Sequence, residues 1–240
     1  MAFKSGKDTL VYVGSTDFSS YLSNADVNKT ADVAETTTFS DEAKTYIGGL
    51  TDGTISLAGF WDATADATLS GLMGSSTTSN VLIGYDGVDT GDYCNFAKVD
   101  ATNYGISSPV GEVVAVTVDL QATGGVFSNG YILSNSAVTA TGVVGSALDN
   151  SASSSAGAGA FVICTSVSGT SPTADIKIQH SADNSTYADL ITFTQVTGAT
   201  SEIKTVDSGT TINRYVRIYN TIGGSSTPTA NVIVGFARNS

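Results

Sequence analysis

Residues 113–120 alternate strictly, with Val114, Val116, Val118 and Leu120 on one side and Ala115, Thr117 and Asp119 on the other. A period of two is the signature of a half-buried strand, because successive side chains leave a pleated backbone on opposite faces. The pattern recurs in residues 25–34, where Asp26, Asn28, Thr30 and Asp32 oppose Val27, Lys29, Ala31 and Val33. In residues 54–61, Ile55, Leu57 and Trp61 oppose Thr54, Ser56 and Ala58. Further β-branched or aromatic runs at 9–13, 81–85, 94–99, 161–167, 174–180, 190–194, 212–219 and 231–238 each end in turn-forming residues. One segment, 62–73, suits a helix: Asp62 or Asp66 can cap it, and Leu69, Leu72 and Met73 recur at helical spacing. The expected fold class is all-β with one short helix.

Composition supports this reading and narrows the function. Charged residues are 13% of the chain, against roughly 25% in an average protein. Gly and Ser serve turns, and Val and Thr suit pleated surfaces. A hydrophobic content of 41% argues for a packed core rather than disorder. No apolar run approaches the roughly 18 residues of a membrane span, and the first residues lack the apolar core of a signal peptide. A soluble protein made in a cytoplasm is expected. Cys94 and Cys164 are far apart and form no redox or zinc spacing.

The net charge of −12 is unevenly distributed. Residues 1–133 hold 16 Asp plus Glu against 5 Lys and no Arg, whereas residues 134–240 hold 6 acids against 5 bases. Residues 134–160 are dominated by Ser, Ala, Gly, Thr and Val and read as a junction with one weak strand. Two domains are expected, 1–133 and 134–240, the second a small β-sandwich of five or six strands. The acidic first part lacks the Lys and Arg that grip phosphates, so tight DNA binding is not expected. An acidic wall would instead keep a passing polyanion off its surface, although simple solubility would also explain the charge.

The usual routes to catalysis find no footing. His180, before Ser181 and Asp183, has the residue types of a triad, but neighbours at one strand end seldom converge as a triad requires. Asp86, Asp89 and Asp92 crowd one loop without the spacing or terminal Glu of an EF-hand, and a solvated turn is the expectation. Phosphate-loop, dinucleotide, nucleophile-elbow and zinc-protease motifs are all missing. No catalytic residue, metal or cofactor is expected.

Residues 36–53, which include Thr36-Thr37-Thr38-Phe39 and Gly49-Leu50-Thr51-Asp52-Gly53, break the alternation and read as a long excursion between two strands. The stretch from Asp26 to Asp62 resembles the core of bacteriophage major tail (tail tube) proteins of long-tailed phages, in which a strand enters a Thr-Thr-Phe segment and Gly-Leu-x-Asp-Gly leads to the next strand. Residues 178–189, 213–217 and 235–238 resemble β-sandwich modules appended to phage tail proteins. The resemblance implies a virion protein assembled in the host cytoplasm: a tail-tube-type β-barrel or sandwich domain whose six copies close a ring, rings stacking into a tube, and DNA passing through the lumen without specific binding. On that reading Phe39, Asp41, Glu42, Lys44 and Tyr46 carry ring-to-ring contacts, and Asp26, Asp32 or Asp119 face the lumen. The C-terminal sandwich would face outward, toward other phage tail proteins or host glycans.

Two other functions fit the same composition. One is a capsid decoration or minor tail fibre protein forming discrete oligomers, with the C-terminal sandwich as its working part. The other is a carbohydrate-binding adhesin offering Tyr187, Tyr215 and Tyr219.

Overall fold

The computed structural model describes residues 3–239. The strands in chain order are β1 (Leu10–Val13), β2 (Thr16–Asp17), β3 (Leu22–Glu35), β4 (Tyr46–Phe60), β5 (Ser79–Gly84) and β6 (Tyr93–Ser107), then β7 (Ala115–Val138), β8 (Gly142–Asp149), β9 (Ala158–Ser181), β10 (Ala188–Thr192), β11 (Thr200–Val206) and β12 (Tyr215–Arg238). Among the described residues a single α-helix, α1 (Ala63–Ser70), follows β4, and the fold is all-β with one short helix. The chain divides into two compact units, each discontinuous in sequence. The smaller holds residues 20–79 and 97–126, and the larger holds the rest of the described residues. The border crosses β6 and β7, and the division after residue 133 expected from composition falls inside β7.

The larger unit is organised by β9 and β12, two 24-residue strands paired antiparallel from Tyr215 opposite Ser181 to Arg238 opposite Ala158. The ends of this ribbon are buried and its middle is exposed. Ala160, Val162, Cys164, Val232, Val234 and Phe236 from one end share a core with Ala174, Ile176, Ile178, Val216 and Ile218 from the other. The ribbon therefore folds back on itself. The bend is built from close backbone approach: a Cβ on Gly224 would meet Ser171 O at 2.8 Å, and one on Gly169 would meet Pro228 Cα at 2.9 Å. Phe161, Ile163, Ile233 and Ala237 point the opposite way, into a second core with Tyr12 of β1, Leu82 of β5, Cys94 and Phe96 of β6, and Ile203 of β11. This end of the ribbon is buried on both faces, which is why its sequence, Ala-Phe-Val-Ile-Cys over 160–164, does not alternate.

The smaller unit is a sheet with one apolar and one polar face. β3 pairs with β4 and β4 with β7, Thr54–Phe60 lying against Ala115–Gln121. Ile55, Leu57, Val116, Val118 and Leu120 are buried on the apolar face, joined by Val99 of β6. The helix adds buried Ala65 and Leu69 to this unit's core. Asp62 caps α1, its carboxylate accepting from the amides of Thr64 at 2.8 Å and Ala65 at 3.4 Å. The Tyr104 hydroxyl of β6 donates to Asp66, tying helix to sheet.

Several segments depart from the sequence-based expectation. Residues 46–53 are strand rather than excursion, so β3 and β4 form one long hairpin whose tip is residues 36–45. Residues 134–160, expected as a junction with one weak strand, contain the end of β7, all of β8 and the start of β9. The runs at 161–167 and 174–180 are one strand, and β11 has no counterpart among the expected strands.

Candidate functional site: an acidic sheet face and a projecting ribbon

The polar face of the smaller unit is built row by row from strand register. Asp26 lies opposite Ser56, and Ser56 opposite Asp119. Ser56 Oγ donates to Asp119 at 2.8 Å, and Asn103 of β6 donates through Nδ2 to its other carboxylate oxygen at 3.0 Å. These bonds, Asn103 first and Ser56 second, hold the Asp119 carboxyl below the usual carboxylate range. The next row runs Asn28, Thr54, Gln121. Gln121 Nε2 reaches across to Asp52 at 2.6 Å. Asp26 accepts from Asn24 Nδ2 at 2.7 Å. The strands thus bring Asp26 and Asp119 onto one face, as their alternation implies. Asp32 keeps the same parity along β3 but lies further out, beside a bulge in β4 where a Cβ on Gly49 would meet its Cβ at 3.1 Å.

The β3 side of this sheet is open. Among the described residues β3 pairs only with β4. On the other side β6, with 15 residues, outlasts its neighbour β5, with 6, and Met73, just past α1, makes an isolated parallel bridge to Ala101 of β6. An open edge presents unpaired amides and carbonyls and is a template for another strand.

Beyond Asp52 the hairpin continues as a two-stranded ribbon exposed on both faces. Asp41 organises the tip, its carboxylate accepting from the Thr38 amide at 2.6 Å and the Thr38 hydroxyl at 3.1 Å. Lys44 pairs with Glu35 at 2.9 Å, and Glu42 is exposed. Of the five residues expected at the contact, Asp41 and Lys44 are therefore engaged in shaping the ribbon, and Tyr46 belongs to β4 rather than to a loop. Phe39 is fully exposed, and Val33, Tyr46, Ile47 and Leu50 are more than half exposed. Val33, Ile47 and Leu50 were not expected at the contact. Their signal was present as apolar residues in an otherwise polar, Gly-rich stretch.

The remaining candidates do not converge on a reaction. His180 Nδ1 accepts from the Asn213 amide at 3.1 Å, while Ser181 Oγ donates directly to Asp183 at 2.8 Å. The order needed for proton relay from Ser to His to Asp is not formed. Lys4 pairs with Asp86, and Asp92 accepts from the Asp89 amide at 2.8 Å, so the acidic loop is closed by its own bonds. Among the described residues no group of three or more His, Cys, Asp or Glu is arranged to hold a metal, and no helix is long and apolar enough to cross a membrane. Tyr187 is covered by the Arg217 guanidinium, 3.6 Å from its ring centroid, and Tyr215 by Arg214 at 4.9 Å.

No family model matches the chain, and no curated protein matches it. Among solved structures, a protein of the native gene transfer agent virion is similar over 52% of this chain and 97% of its own, with 16% identity and a TM-score of 0.43. The SPP1 Dit protein, described as a hub adsorption apparatus of phages infecting Gram-positive hosts, is similar over 97% of this chain and 99% of its own, with 9% identity and a TM-score of 0.41. A protein of the anti-feeding prophage cap, which terminates that particle's tube, is similar over 52% and 90%, with 12% identity and a TM-score of 0.44. All three scores lie below 0.5, too low to fix fold or function.

Proposed function

We propose that the chain is a non-enzymatic structural subunit of a phage-tail type of particle, working by self-association into rings that stack into a tube. The observation that carries this reading is the sheet of the smaller unit: one buried face, one acidic face, and a β3 edge unpaired among the described residues. The open β3 edge can accept a strand of a neighbouring copy, and a ring closed through such contacts would leave no β3 edge unpaired. Its polar face, with Asp26 and Asp119 in one row, would then line a channel suited to DNA that must pass without being held. The C-terminal region, 134–240, would face outward, where it could meet other tail proteins or host glycans. In the virion such a protein would be part of the tail.

Electron microscopy of the purified protein across concentration and salt tests this. Hollow rings or tubes are the expected result. A monomer or closed trimer at every condition would instead favour a decoration protein.

A further inference from the structure

The smaller unit has a second exposed apolar surface, at the end of the sheet remote from the hairpin tip. Phe60 ends β4 opposite Ala115, and the Trp61 amide donates to Val114 O at 2.9 Å. The connection from β6 to β7 turns beside them, its Glu112 amide reaching Pro109 O at 3.4 Å. Ile106, at the end of β6, belongs to the same end, because Gly105 lies against Thr117, a Cβ there meeting Thr117 Oγ1 at 3.0 Å. Phe60, Ile106 and Val113 are at least half exposed, Val110 is fully exposed and Trp61 is 41% exposed. Neither this patch nor the ribbon's apolar residues can be covered by the other within one copy. They are separated by the length of β4, about 50 Å for 15 residues at roughly 3.3 Å each.

We infer that the patch formed by Phe60, Trp61, Ile106, Val110 and Val113 is the acceptor for the ribbon of a second copy, through Phe39, Ile47 and Leu50. The inference rests on the self-association proposed above and names the surface to which the ribbon docks. Two different patches on opposite ends make a heterologous contact, which repeats without closing along the axis. Charge bears on what the occupant is. The tip carries Asp41 and Glu42 beside the Lys44–Glu35 pair, and Asp62 and Glu112 adjoin Trp61 and Val113 in sequence, so acidic groups flank both surfaces. The contact is apolar in its centre and opposed by its rim, and salt should strengthen it by screening. A basic partner protein would show the reverse dependence.

Two variants that each remove one half of the contact test this. In V110D/V113D the patch is charged at exposed positions, and in F39D/L50D the tip is. Each alone should raise the concentration needed for axial stacking at least about tenfold, with melting temperature unchanged. Mixed, they retain one intact contact per pair and should give dimers but no long polymer. Cross-linking supplies an independent readout: Phe39→Cys mixed with Val113→Cys should join through a short bismaleimide, the native Cys94 and Cys164 being buried. Equal joining of Phe39→Cys to itself would overturn the inference in favour of a tip-to-tip contact. Stacking by V110D/V113D at the wild-type concentration would overturn it while leaving the tube reading intact. Salt that dissolves the stacks would also overturn it, in favour of a charge-driven contact. Wild-type protein that stays monomeric at every condition would remove both.

Discussion

The chain contains two long antiparallel ribbons with opposite fates. In the larger unit β9 and β12 fold back at Gly169 and Gly224 and bury both ends in shared cores. In the smaller unit the outer halves of β3 and β4 extend past the sheet and, among the described residues, pair only with each other. A lone two-stranded ribbon is marginal in water because it has no second layer against which to bury side chains. The first ribbon is therefore a folding device, and the second spends its apolar residues on a surface. Changes in the first should be read in stability and changes in the second in association.

The largest expected effect is Phe161→Ala. Its ring lies in the second core, 4.9 Å from that of Phe96, and its removal should cost about 3–5 kcal/mol in denaturant unfolding. Gly224→Ala comes next. Its φ of +109° disfavours any side chain, and its Cβ would press on Ser171 O, so about 1–3 kcal/mol is expected from the same measurement. A neutral result there would mean that the bend is not what makes the two ribbons differ.

Leu50→Asp and Phe39→Asp should lie within about 0.5 kcal/mol of wild type, because nothing is packed against either residue in the single chain. Hydrogen exchange sharpens the contrast. In dilute protein the amides of residues 30–35 and 46–50 should exchange far faster than those of 160–164 and 232–236, and assembly should slow the first set alone. Equal protection of both sets in the monomer would show that the ribbon has a partner within its own chain.

This contrast also explains what could be read from the sequence. Strands with one buried face, such as the segment Val114–Leu120, declared themselves by alternation, and the acidic face followed with them. Residues 46–53 were hidden because Gly48, Gly49 and Gly53 look like turn formers. Gly53 in fact sits in strand where a Cβ would meet Val126 Cγ2 at 2.5 Å, so it is there for close approach. The bend of the folded ribbon, with Ser171, Ser226 and Thr227 in the left-handed region, interrupted the pattern and split β9 and β12 in two. β11 offered only Ile203 and Val206 as apolar signal. The exposed apolar residues of the ribbon obey no periodicity, because no core selects their spacing.

The smallest effect separates the two units by acid. Asp149, held by Arg214 and the Ser151 amide, and Asp183, held by the Thr186 and Ser185 amides and Ser181, both have carboxyls lowered to about 2. A lowered carboxyl stabilises the fold above its unfolded value, 3.8, and that contribution is lost as pH falls through the folded value, so this part of the larger unit should loosen between 3.8 and about 2. His180 acts earlier and in the same sense. Burial, with Arg238 nearby, lowers its pKa, so the native state resists a proton that the unfolded chain accepts, and stability should decline as pH falls below 6.5. His180→Gln should abolish that early decline and leave the later one. Asp119 is the counterpart in the smaller unit. Its lowered carboxyl keeps the polar face charged below the ordinary titration range, and Asp119→Asn should change stability by under about 1 kcal/mol. The carboxyl resonance of Asp119 and the side-chain amide of Asn103, followed by NMR from pH 6 to 2, should move together. If the Asn103 amide stays still while Asp119 titrates, the row of hydrogen bonds across the sheet does not hold that charge in place.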